Sequence, residues 1–378
     1  MKVVITGAGG FLGWHLRCRL RALGTHRVEA VDRAAFADLA SVLPGADAVI
    51  HVAGVNRARD DREVTDGNVN LARALRDAVR ASGARPRIAY ANSTQRGNGT
   101  PYGDSKATAS QILADVAREI GSPYVDAVLP NLFGEHGRPH YNSFVATFCR
   151  LVLDGEGPAV IDRDVELLHV QDAAAALADG LDGAGRVERP SGEVTSVSAV
   201  LEMLEELDAV YSGGDVPRLD SRFRTQLFNT YRAAAFERRA AIPLVQHSDA
   251  RGALVETSRV HGGGGQSFVS TTAPSARRGE HFHLEKVERF VVVKGRARIR
   301  LRRLFTDDVV ELVVDGANPV AVDMPTMWAH DLTNIGDEEL MTYFWTNTLF
   351  DPADPDTFAE PVNSDRVRPT EAVGGGAR

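Results

Sequence analysis

The chain has 378 residues, a length that favours two domains or more. Hydrophobic residues make up 43% and charged residues 25%, which is the balance of a folded soluble protein. The net charge of −8 disfavours nucleic acid or a membrane surface as a partner, because such surfaces are met by clustered Lys and Arg. The two cysteines lack metal-type spacing, and no apolar run approaches the roughly 18 residues of a membrane span. We therefore expect a cytoplasmic protein without disulfides.

The first part of the chain alternates short apolar runs with longer helical patterns. Strands are predicted at 3–6, 28–31, 48–52, 87–91 and 124–129, and helices at 11–23, 69–82 and 105–120. This alternation predicts a Rossmann-like, doubly wound α/β domain with helices on both faces of a parallel sheet. Two amphipathic helices follow at 199–211 and 221–239, and we place the end of this domain at residue 241.

From residue 242 the pattern changes to short β-branched and aromatic runs separated by Gly, Asp, Asn and Pro. These runs lie at 255–260, 267–271, 289–293, 297–304, 309–314, 319–323 and 340–344. The pattern is typical of an all-β sandwich or barrel, to which we assign residues 242–362. The tail over 363–378 ends in a glycine run and is predicted to be disordered.

A glycine-rich loop follows the first predicted strand and opens the first helix. Gly7, Gly10 and Gly13 are three residues apart, a spacing that brings a pyrophosphate close to the helix N-terminus. A tight strand–helix turn is the alternative, but the position of the loop favours a dinucleotide site. The end of the second strand carries both Asp32, which favours NAD, and Arg33, which favours NADP. The predicted cofactor-binding residues are Gly7, Gly10, Phe11, Leu12, Asp32, Arg33, His51, Ala53, Gly54 and Lys106.

Tyr102 and Lys106 are four residues apart and would share one face of a helix. We expect the ammonium to lower the pKa of the phenol, which would then donate a proton to a carbonyl that receives hydride. Ser93, at the end of a predicted strand, is the candidate that holds the carbonyl oxygen, with Thr94 as the second choice. A solvated ion-pair spacing is the ordinary alternative, but the preceding serine and the glycine loop favour catalysis.

These motifs together resemble the extended short-chain dehydrogenase/reductase family. Further matches are Asn68, the segment 130–134 (PNLFG) and the segment 169–172 (HVQD). The resemblance implies an NAD(P)H-dependent reductase in which segment 130–134 touches a nucleotide-sugar substrate. Asn131 thereby becomes a candidate substrate-binding residue, with a turn residue as the alternative.

The β-rich part contains a set of metal-ligand residue types. His281 and His283 lie two apart on a predicted strand and would face the same side, and Glu288 and His330 follow. Three imidazoles and a carboxylate suit a divalent ion such as Zn, Fe, Mn or Ni, and zinc is our first choice. The pattern resembles the cupin superfamily, although Met327 stands where the second cupin motif has Gly.

Two segments of the β-rich part resemble dTDP-4-keto-6-deoxy-sugar epimerases. Residues 249–256 (DARGALVE) match a D-x-R-G-x-F-x-E segment, with Leu254 in place of Phe, and residues 278–281 match an R-G-x-H segment. The resemblance makes Arg251 a substrate-binding candidate and His281 a candidate base. The second role conflicts with His281 as a metal ligand.

The combination resembles the bifunctional enzymes of capsular-polysaccharide synthesis, over all of the chain up to about residue 363. The resemblance implies a homodimer that acts on a UDP-linked keto-sugar. In it the cupin epimerises C3 of a UDP-4-keto-6-deoxy-N-acetylhexosamine, and the reductase domain reduces the C4 ketone with NADPH, with NADH as the second choice. Three alternatives remain: a reductase whose cupin only supports dimerisation, an NADP-binding redox sensor, and an iron-dependent oxygenase.

Overall fold

The computed structural model describes residues 1–57 and 59–363, together with the backbone of residues 366–369. The chain divides into two compact units. The first unit comprises Met1–Thr147 and Val160–Ser198, and the second comprises Phe148–Ala159 and the chain from Ala199 onward. No helix among the described residues has the length and apolarity needed to cross a bilayer.

A six-stranded parallel sheet forms the centre of the first unit, with the strand order β2-β1-β3-β4-β5-β8, and a second sheet has the order β6-β7-β9. The strands are β1 (Lys2–Thr6), β2 (Arg27–Val31), β3 (Ala48–His51), β4 (Arg87–Ser93), β5 (Tyr124–Leu129), β6 (Asn131–Phe133), β7 (Asp164–His169), β8 (Arg186–Glu188) and β9 (Glu193–Ser196). The helices are α1 (Phe11–Leu23), α2 (Leu39–Val42), α3 (Asp61–Ser82), α4 (Pro101–Glu119), α5 (Phe144–Leu153), which continues into the second unit, and α6 (Val170–Asp179).

Apolar cores cover both faces of the six-stranded sheet, which confirms the predicted doubly wound fold. Val3 and Ile5 of β1 contribute to the core that contains Leu16 of α1 and other residues of α1 and α6. Val4, which points the other way because strand side chains alternate, contributes to the core formed by α3 and α4. Strand β2 lies on one side of β1 and β3 on the other, so the order of the strands changes direction at β1. A ligand crevice is therefore expected at the carboxyl end of β1.

Two helices of the first unit begin earlier than their apolar patterns predicted. Helix α3 begins at Asp61, because the Asp60 side chain accepts a hydrogen bond from the Glu63 backbone N at 2.8 Å. Helix α4 begins at Pro101, because the Thr100 hydroxyl accepts one from the Gly103 backbone N at 3.1 Å. Polar first turns with such caps carry no apolar periodicity, and apolar periodicity was the signal used to predict the helices.

The second unit contains two β-sheets with the orders β10-β18-β15-β20-β13 and β21-β14-β19-β16-β17-β22, and a separate hairpin of β11 and β12. Its core includes Phe290 and Val322 from the first sheet and Ile299 and Leu332 from the second. Its elements are α7 (Val197–Tyr211), which begins in the first unit, α8 (Arg222–Phe236), β10 (Ile242–Pro243), β11 (Gln246–Asp249), β12 (Gly252–Val255), β13 (Gln266–Thr272), β14 (Arg277–Phe282), β15 (Glu288–Lys294), β16 (Arg296–Arg303), β17 (Asp308–Asp315), β18 (Val320–Met324), β19 (Trp328–Asn334), β20 (Leu340–Thr346), β21 (Phe358–Ala359) and β22 (Arg366–Pro369).

Helix α8 belongs with the barrel, so the division of the chain differs from the predicted boundary at residue 241. The buried Arg232 guanidinium donates to the Met324 carbonyl, and Asn229 Nδ2 donates to the Glu285 carbonyl at 2.7 Å. The Phe236 ring packs edge-on against Trp328, with the centroids 5.2 Å apart. Polar and apolar contacts of one helix with the barrel are tertiary features that no local pattern reports.

Two local predictions in the second unit differ from the structure. The strand predicted at 255–260 is wrong: β12 ends at Val255, and Val260 makes only an isolated bridge to Val216. Within the tail predicted to be disordered, the backbone of Arg366–Pro369 pairs with β17 in parallel, which departs from that prediction for these four residues. Residues 364–365 and 370–378 of the predicted tail lie outside the described residues.

Candidate functional sites

The glycine-rich loop connects β1 to α1 and leaves no space for side chains at two positions. Gly7 has a φ of 74°, and a Cβ there would lie 2.7 Å from the Ala53 Cα. A Cβ on Gly13 would lie 2.2 Å from the Gly7 carbonyl oxygen. Gly10 is the N-cap of α1 and supplies no capping side chain, so backbone N–H groups at this helix start can face an anion. The loop therefore has the construction of a pyrophosphate site.

The end of β2 presents two side chains of opposite charge. The Asp32 carboxylate accepts a hydrogen bond from the Ala35 backbone N at 2.9 Å, so one of its oxygens is already engaged. Arg33 is exposed and lines a cleft of about 450 Å³ together with Val55, Arg57, Arg59 and Glu63. The cleft walls carry three guanidinium groups and one carboxylate.

The three predicted cofactor residues after β3 differ in accessibility. His51 is buried, its Nδ1 lies 2.6 Å from the Thr6 hydroxyl, and its ring stacks on Tyr90. Burial lowers the pKa of His51 to about 3, which keeps the imidazole neutral. Ala53 is half-buried and Gly54 is exposed, so these two residues are accessible to a cofactor, whereas His51 is buried.

Tyr102, Ser93 and Lys106 come together where β4 ends and α4 begins. Tyr102 lies beside Ser93, whose hydroxyl lowers the pKa of the phenol and whose Oγ accepts a hydrogen bond from the Gln95 backbone N at 3.1 Å. Lys106 is buried, and its Nζ donates to the Ala91 carbonyl at 2.5 Å. The phenol, the hydroxyl and the ammonium thus form one polar group beside the carboxyl ends of the strands.

The electrostatics of this group differ from the sequence expectation. Burial raises the pKa of Tyr102, and the hydrogen bond with Ser93, rather than Lys106, is what lowers it again in part. Burial lowers the pKa of Lys106 to about 7, although Asp126 acts in the opposite direction. The Lys106 ammonium lies 4.1 Å from the Tyr90 ring centroid and is bonded to a carbonyl, which accounts for the weak effect on Tyr102. A raised pKa keeps the phenol protonated, as a proton donor must be.

A buried carboxylate lies behind the Ser93 loop and was not recognised in the sequence. Asp126 is 5% exposed, accepts a hydrogen bond from Asn92 Nδ2 at 2.8 Å and forms an ion pair with Arg96. The Asn92 side-chain oxygen in turn accepts from the Ser93 backbone N at 2.9 Å. A carboxylate in the middle of the apolar run 124–129 is the signal that could have identified it, because unpaired buried carboxylates are rare.

The two other substrate-binding candidates of the first unit lie at the surface. Thr94 is exposed, and its backbone N donates to the Leu129 carbonyl at 3.0 Å. Asn131 is exposed at the start of β6, and its Nδ2 donates to the Glu166 carbonyl at 3.3 Å. Thr94 follows directly after Ser93, whereas no measured contact connects Asn131 with the Tyr102 group.

The second unit gathers the four predicted metal ligands from separate strands. His281 lies on β14, Glu288 begins β15 and His330 lies on β19, while His283 follows directly after β14. One nitrogen or oxygen of each of the four residues lies within 4.8 Å of the others. The His283 Nε2 and the Glu288 carboxylate are 3.1 Å apart, and the His281 and His330 rings have centroids 4.4 Å apart.

The protonation states of this cluster fit a divalent cation. Burial lowers the pKa of His281 to about 4, and burial also lowers that of His330 well below its usual value, so both imidazoles are neutral ligands. Burial alone would raise the pKa of Glu288, but the bond with His283 and the nearby imidazoles lower it to about 2. The His283 Nδ1 lies 2.5 Å from the Asp356 carbonyl, so with a metal at Nε2 the Nδ1–H would donate to this carbonyl.

The four residues His281, His283, Glu288 and His330 are here called the His/Glu cluster. All of them except His283 line a cavity of about 600 Å³. Phe268 and Phe344 line it with their rings stacked at a centroid distance of 4.9 Å. Arg278 also lines it and donates to the Thr271 carbonyl at 2.9 Å. The cavity thus combines an apolar platform with one cationic side chain and the His/Glu cluster, a composition that suits a ligand with apolar and anionic parts.

The predicted substrate residue Arg251 does not line this cavity. It lies on the β11–β12 hairpin, and its guanidinium is 2.6 Å from the Asp249 carboxylate with 90% of the side chain exposed. Within one chain, the structure therefore does not bring Arg251 together with the His/Glu cluster.

Met327 occupies the position where the second cupin motif normally has Gly, and its backbone has a φ of 60°. Such a left-handed conformation costs a side chain about 1 to 2 kcal/mol. Two hydrogen bonds hold it, from the Met327 N to the His283 carbonyl at 2.7 Å and from the Leu304 N to the Met327 carbonyl at 3.1 Å. The turn before His330 therefore keeps its glycine-like shape.

Two family models match the chain. Residues 3–183 match the NAD dependent epimerase/dehydratase family, and residues 247–358 match the polysaccharide biosynthesis C-terminal domain. The chain is 33% identical over 367 residues to UDP-2-acetamido-2,6-beta-L-arabino-hexul-4-ose reductase of Pseudomonas aeruginosa, which covers 95% of this chain and 98% of the relative.

Solved structures are also similar to this chain, one over nearly all of it and one over about three fifths. The capsular polysaccharide assembling protein CapF from Staphylococcus aureus matches with a TM-score of 0.61 and 30% identity, over 96% of this chain and 100% of that one. The UDP-N-acetylglucosamine 4-epimerase from Methanobrevibacter ruminantium M1 matches with a TM-score of 0.53 and 18% identity, over 62% of this chain and 98% of that one. The latter likeness establishes the fold only.

Proposed function

We propose a function from the family to which the chain belongs, the NAD dependent epimerase/dehydratases, here with a polysaccharide biosynthesis C-terminal domain that we take to be a cupin. In this proposal the first unit reduces the C4 ketone of a UDP-4-keto-6-deoxy-N-acetylhexosamine with NADPH. The observation that carries it is the position of Tyr102 beside Ser93, whose hydroxyl lowers the pKa of the phenol, with Lys106 buried one helical turn further on. The proposal includes a homodimer, which the family resemblance implies.

The residues of the first unit account for the proton in this reduction. A bound nicotinamide supplies the hydride that reaches C4. Tyr102 donates its proton to the C4 oxygen, and Ser93 hydrogen-bonds the same oxygen, so that a ketone, a hydride and a proton give a secondary alcohol. The phenolate left on Tyr102 is stabilised by the Ser93 hydroxyl, the neighbour that already lowers the pKa of the phenol, while the Lys106 ammonium would donate to the nicotinamide ribose.

For the second unit we propose epimerisation at C3 of the same sugar. The C3 proton is acidified by the adjacent ketone, so a base and an electrophile for the enolate oxygen suffice to form the enolate, and a proton delivered to the opposite face of C3 completes the inversion. His283, Glu288 and His330 would hold a divalent cation, zinc as the first choice, which supplies the electrophile or only stabilises the barrel. His281, the most exposed of the four cluster residues, is the candidate base where these three alone hold the cation.

A second candidate function is supported by Arg251. Because Arg251 does not line the His/Glu cavity within the chain, it favours a reductase in which the barrel has no sugar chemistry of its own.

The test is incubation of the full chain with a UDP-4-keto-6-deoxy-N-acetylhexosamine in D2O, with and without NADPH. Absorbance at 340 nm reports reduction, and NMR reports deuterium at C3. We expect deuterium at C3 without NADPH, and C4 reduction when NADPH is added. NADPH oxidation without deuterium would leave the reductase alone, and neither signal would refute the substrate class.

A further inference from the structure

The cleft beside the glycine loop is lined by arginines from two different loops. Arg33 follows β2, and Arg57 and Arg59 follow β3. Strands β2 and β3 flank β1 in the parallel sheet, and β1 leads into the glycine loop. Because the carboxyl ends of parallel strands meet at one edge, the cleft lies where the adenosine end of a dinucleotide is placed by a doubly wound sheet.

The charges in this cleft are not balanced within the described chain. None of the three guanidinium groups forms an ion pair with a carboxylate among the residues that the structure describes. Glu63, the one acidic residue of the lining, accepts a hydrogen bond from the Arg59 backbone N at 3.2 Å. Asp32, which would otherwise bind a ribose hydroxyl, is engaged with the Ala35 N. The cleft is therefore suited to a compact dianion, for which guanidinium groups are the preferred donors.

The segment that carries Arg57 is held in place from inside the unit. Asn68, 3% exposed on α3, donates from Nδ2 to the Val55 carbonyl and accepts from the Val55 N, both at 2.9 Å. Its Nδ2 also lies 3.1 Å from the Ser105 hydroxyl on α4. The backbone two residues before Arg57 is thus fixed to α3 and, through Ser105, to α4, the helix that carries Tyr102 and Lys106. An exposed arginine on a fixed backbone loses less freedom on binding than one on a loose loop.

We propose that Arg57 and Arg59, together with Arg33, bind the 2′-phosphate of the cofactor and make the enzyme selective for NADPH over NADH. The inference rests on the proposed dinucleotide-dependent reductase. It adds two residues from the loop after β3 to a selectivity that the sequence placed on Arg33 alone. The 2′-phosphate is the dianionic group that distinguishes the two dinucleotides, so it is the ligand that a cleft with this charge would recognise.

The test measures cofactor binding without substrate, by titrating the full chain with NADPH and with NADH. Arg57→Gln and Arg59→Gln should each weaken NADPH binding about tenfold, the loss of one charge-assisted hydrogen bond, and leave NADH binding unchanged. Arg62→Gln, at an exposed arginine in the first turn of α3 that does not line the cleft, is the matched control and should change neither. In the same two variants, 2′,5′-ADP should compete less well with NADPH than it does in the wild-type chain. Competition by 5′-AMP, which lacks the 2′-phosphate, should not change.

Two results would overturn the inference. An equal loss of NADPH and NADH affinity would show that the arginines support the loop rather than the phosphate, and unchanged NADPH affinity in both variants would remove them from the site. A wild-type chain that binds NADH as tightly as NADPH would also overturn it, while leaving the reductase proposal intact. Binding of neither dinucleotide would instead refute the reductase proposal itself.

Discussion

Two groups of buried polar side chains, one in each unit, are arranged in opposite ways. In the group around Tyr102 each buried charge meets a partner from the protein: Lys106 bonds the Ala91 carbonyl, and Asp126 pairs with Arg96. In the second unit three imidazoles and the Glu288 carboxylate turn acceptor atoms toward one point. Converging acceptors repel one another unless a cation lies between them. On the proposed metal site, the group around Tyr102 would be complete in its own side chains, whereas the barrel cluster would depend on an ion.

The largest effect is expected from Tyr102→Phe, which removes the proton donor and little else. We expect the rate of NADPH oxidation to fall about 1,000-fold, within the range for loss of a general acid, with NADPH affinity and melting temperature unchanged. Tyr141→Phe, at an exposed tyrosine outside the group, is the control. Retention of more than a tenth of the activity in Tyr102→Phe would break the first half of the comparison.

The second effect concerns the barrel and should appear in stability. Removing the metal with a chelator, or replacing His283 by Ala, should lower the stability of the chain by about 3 kcal/mol when the metal was present at several hundred times its Kd. Metal content should fall from one ion per chain toward zero in the variant, and the chelator should then have no further effect. His247→Ala, at an exposed histidine on β11, should keep both metal and stability. A melting temperature that does not change when the chelator is added would show that the cluster needs no ion.

A smaller effect is expected from Asp126→Asn, through the charge of Lys106. The Lys106 ammonium has a pKa of about 7 and is needed in its charged form, so activity should fall as the pH rises through that value. Asp126 raises the pKa of Lys106, and the amide cannot do so, so the falling limb should move to lower pH. The other groups around Lys106 are the Tyr90 ring and His51, which stays neutral across this range. A profile of kcat/KM against pH with an unmoved limb would remove Asp126 from the positioning of this site.

The smallest effect is expected at the helix caps of the first unit. Thr100→Ala and Asp60→Ala each remove one capping hydrogen bond and should each cost about 1 kcal/mol in unfolding free energy. Only Thr100 caps the helix that carries Tyr102, so only its variant should also lower kcat. Chemical denaturation and initial rates of both variants measure the difference, and equal kcat values would show that the cap does not position the phenol.

The sequence predicted most where spacing along the chain maps directly onto space. The glycine loop, the Tyr102–Lys106 pair and the His281–His283 pair are read from intervals of three, four and two residues, and the structure places the two histidines in one cluster with Glu288 and His330. Short apolar runs likewise predicted most strands of the parallel sheet, because strands such as β3 and β5 are buried on both faces.

Features that depend on pairing between distant segments were not predicted. Arg57 and Arg33 belong to loops after different strands, and only the strand order places them in one cleft. Asp126 reaches the Ser93 loop through Asn92 across neighbouring strands. The attachment of helix α8 to the barrel rests on Arg232, a residue whose burial contradicts its ordinary preference for the surface.

The measurement that tests the central claim most directly is deuterium exchange in the Tyr102→Phe variant. The variant is incubated in D2O with a UDP-4-keto-6-deoxy-N-acetylhexosamine and NADPH, and C3 and C4 of the sugar are followed by NMR. If the two units perform separate chemistry, deuterium should enter C3 at the wild-type rate while C4 stays a ketone. If the variant loses both the exchange at C3 and the reduction at C4, the result contradicts the account, because a change in the first unit would then have stopped the chemistry assigned to the second.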